Sequence, residues 1–187
     1  MSSVLAPASE EKSIGSAGAL RLNLGGREIT IPGFVNVDLQ ELPTVDMQAD
    51  VRKLPYGDGS VDEIYASHLL EHFSWSETDA LLKEWRRILR KGGIAYISVP
   101  DFDAMARLYR QNGLCQYVVE VLMGEHHKPF GGHMNLFNFP RLAKYLMEAG
   151  FSDVQRIQQM PYNKKDCSQM IDSVFRLPIS VNAKAIA

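Results

Sequence analysis

Leu22-Asn23-Leu24-Gly25-Gly26 is followed at Val35-Asn36-Val37-Asp38 by a second short apolar run that ends in a carboxylate. Short apolar runs closed by Gly or Asp are typical of buried parallel strands. A glycine pair after the first strand lets backbone N–H groups approach a ligand, and an acid after the second can accept hydrogen bonds from a ribose diol. These strand ends predict a site for an adenosine-containing cofactor, with Asn23, Gly25, Gly26 and Asp38 as binding residues.

Two later segments place further polar residues at strand ends. Ala49-Asp50-Val51 offers an acid for an adenine amino group and an apolar side chain to cover the ring. The β-rich run at residues 61–67 ends in Ser67 and is followed by His68. Because ligands of open α/β sheets bind beyond the carboxyl ends of the strands, we expect Asp50, Val51, Ser67 and His68 to contact the same cofactor.

The spacing of the first two strands is too short for the usual crossover. Only residues 25–34 separate them, whereas a parallel crossover takes about a dozen residues or more and generally contains a helix. The first helix is therefore predicted to be missing or reduced to a turn. We expect the Gly25 and Gly26 backbone amides and Arg27 to replace the helix N-terminus beside the cofactor.

The rest of the chain predicts an α/β domain with a mostly parallel sheet. Ser74 or Ser76 can cap a helix ended by Gly92-Gly93, Asp101 or Asp103 a helix reaching Asn112, and Pro140 can open a helix ended by Gly150. The predicted strands are 19–24, 34–38, 61–67, 93–99 and an antiparallel C-terminal pair at 152–158 and 178–186, with the first of these helices at 77–90. Residues 1–18 lack periodicity and are predicted to be a flexible tail before a single domain at 19–187.

Composition limits the classes of function. The net charge of −2 and pI near 6.2 argue against a general nucleic-acid binder, which carries a basic face. The two cysteines form no disulfide framework, so we expect a reducing compartment. No signal peptide and no apolar run of about 18 residues is recognisable, which predicts a cytoplasmic protein without a membrane span.

His68-Leu69-Leu70-Glu71-His72 matches the H-x-x-E-H pattern of some zinc hydrolases. Zinc ligation of that kind places both histidines one turn apart on a helix and adds a third ligand downstream. Here His68 follows a strand-like run, so we expect no metal on this motif. Stoichiometric zinc in the purified protein would overturn that expectation.

From about Leu20 onward the chain resembles class I S-adenosylmethionine-dependent methyltransferases of the type 11 group. The resemblance is carried by LNLGG at 22–26, PGFVNVD at 32–38, the segments 49–73 and 84–101, and LMEAGF at 146–151. It implies a Rossmann-like fold with helices on both faces of the sheet, S-adenosyl-L-methionine as the cofactor and an EC 2.1.1 activity. The chain departs from the family where an acid usually precedes the glycines, because Asn23 stands there, and Gly-x-Gly becomes Gly25-Gly26-Arg27.

Methyl transfer from a sulfonium is an in-line displacement that requires alignment, exclusion of water and, for a hydroxyl acceptor, a base. Histidine suits the role of base because its ordinary pKa is about 6.5. We expect His133, His72 or Asp101 to be catalytic, and His133 follows the flexible Gly131-Gly132 pair. His126 and His127 in the same loop are further candidates, and Asp101 has helix capping as its alternative role.

The resemblance suggests a small-molecule acceptor such as a sugar hydroxyl in polysaccharide or natural-product assembly, with a homodimer as one expected assembly. Two alternatives remain open. A nicotinamide-dependent oxidoreductase shares the acid at the strand end but requires a G-x-G-x-x-G turn that is absent. A non-catalytic cofactor-binding or partner-binding module is favoured by the altered glycine motif.

Overall fold

The computed structural model describes residues 18–126, 130–162 and 178–187, and in them the strands form one seven-stranded sheet. The strand order is β3-β2-β1-β4-β5-β7-β6. Strands β1 to β5 are parallel, and β7 is antiparallel to both β5 and β6. The strands are β1 Arg21–Leu24, β2 Val35–Asp38, β3 Met47–Gln48, β4 Val61–Ser67, β5 Leu89–Pro100, β6 Ser152–Ile157 and β7 Ser180–Ile186.

Helices and apolar side chains cover the central strands. The helices are α1 Trp75–Ile88, α2 Phe102–Asn112, α3 Gln116–Met123 and α4 Phe139–Glu148, with a short 3-10 helix at Leu70–His72. Consecutive residues Ile64, Tyr65 and Ala66 of β4 are all buried, so both faces of the sheet are covered. Ile64 and Ala66 belong to the main core, whereas Tyr65 packs in a separate cluster with Phe34. The predicted α/β fold with an antiparallel C-terminal pair is confirmed.

Strands β1 and β2 are joined without a helix, as the short spacing predicts. Residues 25–34 form turns, and the two strands are paired in parallel with Leu22 opposite Val35. Two buried asparagines hold the turn. Asn23 Nδ2 donates to Asn36 Oδ1 at 2.9 Å and to the Ile29 carbonyl at 2.8 Å, which fixes the loop against both strands.

The predicted stop of the first long helix is wrong. Helix α1 starts behind a Ser74–Glu77 capping box and ends at Ile88, and β5 begins at once with Leu89. Gly92-Gly93 therefore lies inside β5. Val61 pairs with Leu89 but Glu63 pairs with Ile94, so the glycines sit at an irregularity in the strand, where Gly92 has a φ of 74°.

The later elements follow the prediction closely. Asp101 caps α2 by accepting from the Asp103 amide at 3.0 Å, and Asn138 caps α4, with Pro140 in its first turn. Residues 1–17 of the predicted tail, His127 and Cys167 lie outside the described residues. The division into a tail at 1–18 and one domain at 19–187 remains a prediction.

Candidate functional site

A small cavity of about 60 Å³ lies at the carboxyl ends of β1 and β4. Its lining consists of Leu24, Ile29, Tyr65 and five of the predicted cofactor residues, which are Asn23, Gly25, Gly26, Ser67 and His68. Its volume suits one end of a nucleoside-containing cofactor rather than the whole molecule. The structure thus brings together five of the eight residues predicted for cofactor binding.

Asn23 and Gly26 shape this cavity through packing. A Cβ on Gly26 would collide with Asn36 Oδ1 and Asn23 Nδ2, so this position accepts only glycine. The Asn36 amide in turn donates to the carbonyls of Arg27 and Thr44 at 3.0 and 2.8 Å. Asn23, which stands where the resembled family has an acid, therefore builds the loop with its side chain. Asn36 was missed as a functional residue because asparagine in a strand carries no motif.

The amides expected to replace a helix N-terminus are partly occupied. The Gly25 N–H donates to the Val37 carbonyl at 2.8 Å, and the Arg27 N–H donates to Asp38 Oδ2 at 3.1 Å. Gly25 has a φ of 66° and Arg27 one of 47°, which marks a sharply turned loop. Of the three predicted groups, the Gly25 and Arg27 amides have internal partners.

Asp38 is buried at the end of β2 and each of its oxygens accepts one backbone hydrogen bond. Oδ2 accepts from Arg27 and Oδ1 accepts from the Gln40 N–H at 2.9 Å. A carboxylate has about four lone-pair sites, so it retains capacity for a ribose diol. Asp38 therefore has a structural role in addition to the predicted one.

Asp50 and Val51 lie outside the lining of the small cavity. Asp50 pairs with Arg52 at 2.8 Å, and this hydrogen-bonded cation lowers the pKa of the Asp50 carboxyl. Val51 is buried, and its carbonyl accepts from Trp85 Nε1 at 3.1 Å. Their predicted contact with an adenine ring remains a prediction.

Ser67 and His68 connect the small cavity to a second group of polar residues. Ser67 Oγ is buried and has no hydrogen-bond partner within the described residues, although it lines the cavity. His68 has a φ of 51°, its Nε2 contacts Ser180 Oγ at 2.8 Å, and its Nδ1 lies 3.1 Å from Glu71 Oε1. An unpaired buried hydroxyl costs free energy unless a ligand or water satisfies it, so Ser67 marks a binding position.

Glu71, His72 and His133 form a polar cluster beyond β4. The candidate ligand atoms of the three side chains all lie within 4.8 Å of one another, and the two imidazole rings are 5.0 Å apart. Glu71 lies in the 3-10 helix, with a side chain only 1% exposed, and His133 Nε2 is 4.0 Å from its Oε1. We call these three residues the carboxylate–histidine cluster.

Backbone hydrogen bonds hold the loop that carries His133 against the 3-10 helix. The Met134 and Asn135 N–H groups donate to the Glu71 carbonyl at 2.8 and 3.2 Å. Gly124, with a φ of 72°, packs so closely that an added Cβ would lie 2.6 Å from the His133 ring. The cluster is therefore built by tertiary docking of residues 61 positions apart in the sequence.

The electrostatic environment favours an ionised Glu71 and a neutral His133. Burial opposes ionisation of Glu71, but the adjacent His68 outweighs it and the pKa of Glu71 lies below its usual value. Burial lowers the pKa of His133, against the attraction of the Glu71 charge. His133 therefore presents an uncharged imidazole to the cluster near pH 7.

A larger cavity of about 600 Å³ is lined in part by His133. Its wall is mainly apolar, with Phe102, Met123, Met134 and Phe137, and its polar groups include His133 and Arg141. A volume of this size matches a small organic ligand. The carboxylate–histidine cluster thus reaches the large cavity through His133, and its Glu71 contacts His68, which lines the small cavity.

Asp101, the third predicted catalytic residue, has structural partners. It is buried, caps α2 and forms an ion pair with Arg156 at 3.0 Å. These contacts agree with its alternative role as a helix cap. Glu71 is not among the predicted site residues, although it lies within the H-x-x-E-H pattern, which is the sequence signal for it.

Similar proteins are found by comparison of the sequence and by comparison of the fold. Residues 30–97 match the model of a methyltransferase domain family of type 11. A 67-residue segment is 34% identical to an uncharacterised 37.1 kDa transposon protein of Streptomyces fradiae. The matched segment is 35% of this chain, which spans only 19% of the length of that protein. None of the helices in the described residues is long and apolar enough to cross a membrane.

Several solved structures with a similar fold are methyltransferases. A possible histamine N-methyltransferase from Thermotoga maritima is 17% identical with a TM-score of 0.60, covering 91% of this chain and 83% of that one. A methyltransferase from Archaeoglobus fulgidus is also 17% identical with a TM-score of 0.60, covering 91% and 87%. The 1,6-didemethyltoxoflavin-N1-methyltransferase of Burkholderia thailandensis, solved with S-adenosylhomocysteine, is 21% identical with a TM-score of 0.56, covering 90% and 70%. The predicted Rossmann-like class I fold is confirmed, and the family match at residues 30–97 agrees with the predicted resemblance to type 11 methyltransferases.

Proposed function

We propose that this chain is a class I methyltransferase of the type 11 group. It transfers the methyl group of S-adenosylmethionine to a small-molecule acceptor. The observation that carries the proposal is that the family match at residues 30–97 includes Tyr65, Ser67 and His68, which line the small cavity at the strand ends. The wider cavity beyond His133 supplies the space for an acceptor.

The residues at the strand ends fit the proposed cofactor in two respects. The unpaired Ser67 hydroxyl faces the small cavity, and the tight Gly25-Gly26 turn brings the backbone to its wall without intervening side chains. Asp38, whose oxygens retain lone pairs, is the proposed acceptor for the ribose hydroxyls. Asp50 and Val51 are the proposed adenine contacts, as the sequence predicts.

S-adenosylmethionine supplies an activated methyl group on a sulfonium, and the chain supplies alignment and exclusion of water. The acceptor atom forms the new bond to the methyl carbon while the sulfur–methyl bond breaks, and the acceptor proton leaves with a base or to water. The apolar side chains of Phe102 and Phe137 line the wall of the cavity in which the acceptor would bind. His133 lines the large cavity, and its ring lies 5.0 Å from the ring of His72. These two histidines are therefore the proposed catalytic groups.

We propose a hydroxyl of a sugar or a related natural product as the acceptor group. The sequence-based role of His133 is that of its general base. Its Nδ1 lies 3.1 Å from the Val121 carbonyl, which only accepts, so Nδ1 carries the proton and Nε2 keeps its lone pair. That nitrogen can accept a proton, and a lowered pKa keeps it available.

Two assays test the proposed function. Titration calorimetry with S-adenosylhomocysteine should give saturable binding, and labelled S-adenosylmethionine should transfer its methyl group to one member of a panel of hydroxylated acceptors. His133→Ala should lower turnover by about 10²–10⁴-fold while cofactor affinity stays near wild type, because the base touches the acceptor. Equal turnover of the two proteins would remove His133 from the reaction.

The alternative of a non-catalytic module predicts cofactor binding without transfer. Binding with no transfer to any acceptor in the panel would favour that alternative, and a lack of binding would contradict both. The net charge of −2 supports a small molecule rather than a nucleic acid as the acceptor. A homodimer and a cytoplasmic location remain predictions.

A further inference from the structure

The carboxylate–histidine cluster has the composition of a metal site. Two imidazoles and one carboxylate are the protein ligands of several zinc enzymes and of non-haem iron sites that keep open positions for substrate. The H-x-x-E-H motif contains two of these ligands, Glu71 and His72, and the structure groups them with His133, while His68 is a neighbour of Glu71 outside this group. The sequence predicts no metal on this motif because His68 follows a strand rather than lying on a helix. That argument does not apply to Glu71, His72 and His133, because this group does not include His68.

The first observation that points to a cation is the state of Glu71. Its side chain is 1% exposed, no lysine or arginine of the described residues pairs with it, and its Oε2 has no hydrogen-bond partner among them. Two imidazole nitrogens lie near Oε1: His68 Nδ1 at 3.1 Å and His133 Nε2 at 4.0 Å. A buried carboxylate with unfilled lone pairs is costly unless a positive charge satisfies it.

The second observation is the orientation of the two imidazoles. His72 Nδ1 lies 3.0 Å from the Gly132 carbonyl, and His133 Nδ1 lies 3.1 Å from the Val121 carbonyl. Because a carbonyl only accepts, both Nδ1 atoms carry hydrogens and both Nε2 atoms keep lone pairs. Histidines that bind metals are commonly held in this way, with the second nitrogen donating to a backbone carbonyl.

We propose that Glu71, His72 and His133 bind one divalent transition-metal cation, of which Zn²⁺ and Mn²⁺ are the expected types. Ligand atoms at about 2.1 Å from one ion lie roughly 3–4 Å from each other, so the 4.8 Å cluster needs only small side-chain rotations. Three protein ligands leave open positions. The loop bonds to the Glu71 carbonyl hold the set in place before a cation arrives.

The position of the site gives the cation a role in acceptor binding, a role that rests on the proposed function. His133 lines the large cavity, so an open coordination position there suits a hydroxyl or a vicinal diol. A bound cation lowers the pKa of a coordinated hydroxyl, which then loses its proton to water before or during attack on the methyl carbon. In this case His133 is a ligand and not the general base, because one lone pair cannot hold both a cation and a proton.

The experiment measures metal binding directly on the full chain. After dialysis against a chelator, the wild-type protein should bind one equivalent of Zn²⁺, measured by calorimetry. With Co²⁺ in place of Zn²⁺, it should give the absorption spectrum of a cobalt ion with few ligands. His72→Ala, His133→Ala and Glu71→Gln should each weaken binding by about 100-fold or more. Glu41→Gln, a change at an exposed carboxylate outside the cluster, is the control and should bind the metal like wild type.

S-adenosylhomocysteine titration of the same proteins separates this proposal from the proposed function. A variant that still binds S-adenosylhomocysteine is folded, and its loss of metal then reports the site. Wild-type protein that binds S-adenosylhomocysteine but neither Zn²⁺, Mn²⁺ nor Co²⁺ at millimolar concentration would overturn the metal site and leave the methyltransferase proposal intact. Stoichiometric binding that survives in all three variants would also overturn it. Turnover that falls with chelator and returns with metal favours a ligand role for His133, and turnover unaffected by chelator favours the base.

Discussion

At the residue scale, the glycine motif of the first strand is explained by two asparagines. Asn23 occupies the position of the usual acid, and its amide bonds to Asn36 across the space above Gly26. The altered motif is thus part of the compact turn that replaces a helix. It is a structural solution for a short crossover, and the cavity beside it persists.

Gly26→Ala should therefore destabilise the fold. The new Cβ would overlap the Asn23–Asn36 amide pair, which cannot move without losing its hydrogen bonds to the loop. Overpacking of this kind costs about 1–3 kcal/mol, or roughly 2–10 °C in melting temperature for a domain of this size. Gly57→Ala is the control, because nothing lies within 4 Å of its Cβ position. Equal melting temperatures for the two variants would refute the packing argument.

Asp38→Asn separates the two roles of that carboxylate. Asparagine offers one acceptor oxygen for the Arg27 and Gln40 amides, so stability without ligand should fall by about 1 kcal/mol. Loss of the charged acceptor for the ribose hydroxyls should weaken S-adenosylhomocysteine binding by a further factor of about 10–100, measured by calorimetry. Reduced stability with unchanged affinity would show a structural role alone.

At the element scale, helix α1 is anchored by its charged face as well as by its buried stripe. Glu84 Oε1 accepts from the Leu54 N–H at 2.9 Å, and Glu84 Oε2 accepts from Arg87 Nε at 2.7 Å. Arg87 also donates to Asp58 at 2.6 Å. These contacts connect α1 to the segment between β3 and β4, which carries Asp50 and Val51.

Acid should weaken this anchor. The hydrogen-bonded Arg87 lowers the pKa of Glu84 below its ordinary 4.5 in the folded protein. The stabilisation is therefore present above about pH 4.5 and is lost as the pH falls through the lower folded value. Urea unfolding should show Glu84→Gln less stable than wild type at pH 7, with the difference shrinking at pH 3.5–4. The exposed Glu41→Gln should show little difference at either pH, and a Glu84 effect independent of pH would contradict the ion-pair explanation.

At the scale of the whole molecule, the two cavities and the carboxylate–histidine cluster depend on parts of the chain that are distant in sequence. His68 and Glu71 follow β4, Ser180 begins β7, and His133 comes from the loop before α4. The antiparallel pairing of β7 with β5 brings Ser180 opposite Pro100, which sets it at the same edge of the sheet as the strand ends. The site is therefore formed only when the sheet is complete.

Cofactor should stabilise this assembly as a unit. A ligand that binds only the folded state adds about 2.7 kcal/mol at a hundredfold excess over its dissociation constant. For a chain of 187 residues this corresponds to a rise of roughly 5–10 °C in melting temperature with S-adenosylmethionine or S-adenosylhomocysteine. NAD⁺ at the same concentration is the control and should leave the transition in place. An unchanged transition with millimolar S-adenosylhomocysteine would count against the cofactor.

The sequence alone predicts four of the five parallel strands, all but β3, together with the missing first helix and the antiparallel end of the sheet. These features depend on local periodicity and loop length, such as residues 25–34 between β1 and β2. Strand β5 starts at Leu89 rather than at the predicted residue 93, because pairing with Val61 draws the preceding residues into the strand. Tertiary structure also decided that Glu71 and His72 meet His133, since hydrogen bonds from the Met134 and Asn135 amides dock that loop on the 3-10 helix. No local pattern encodes a contact across 61 residues, and only the folded chain brings those three side chains to one point.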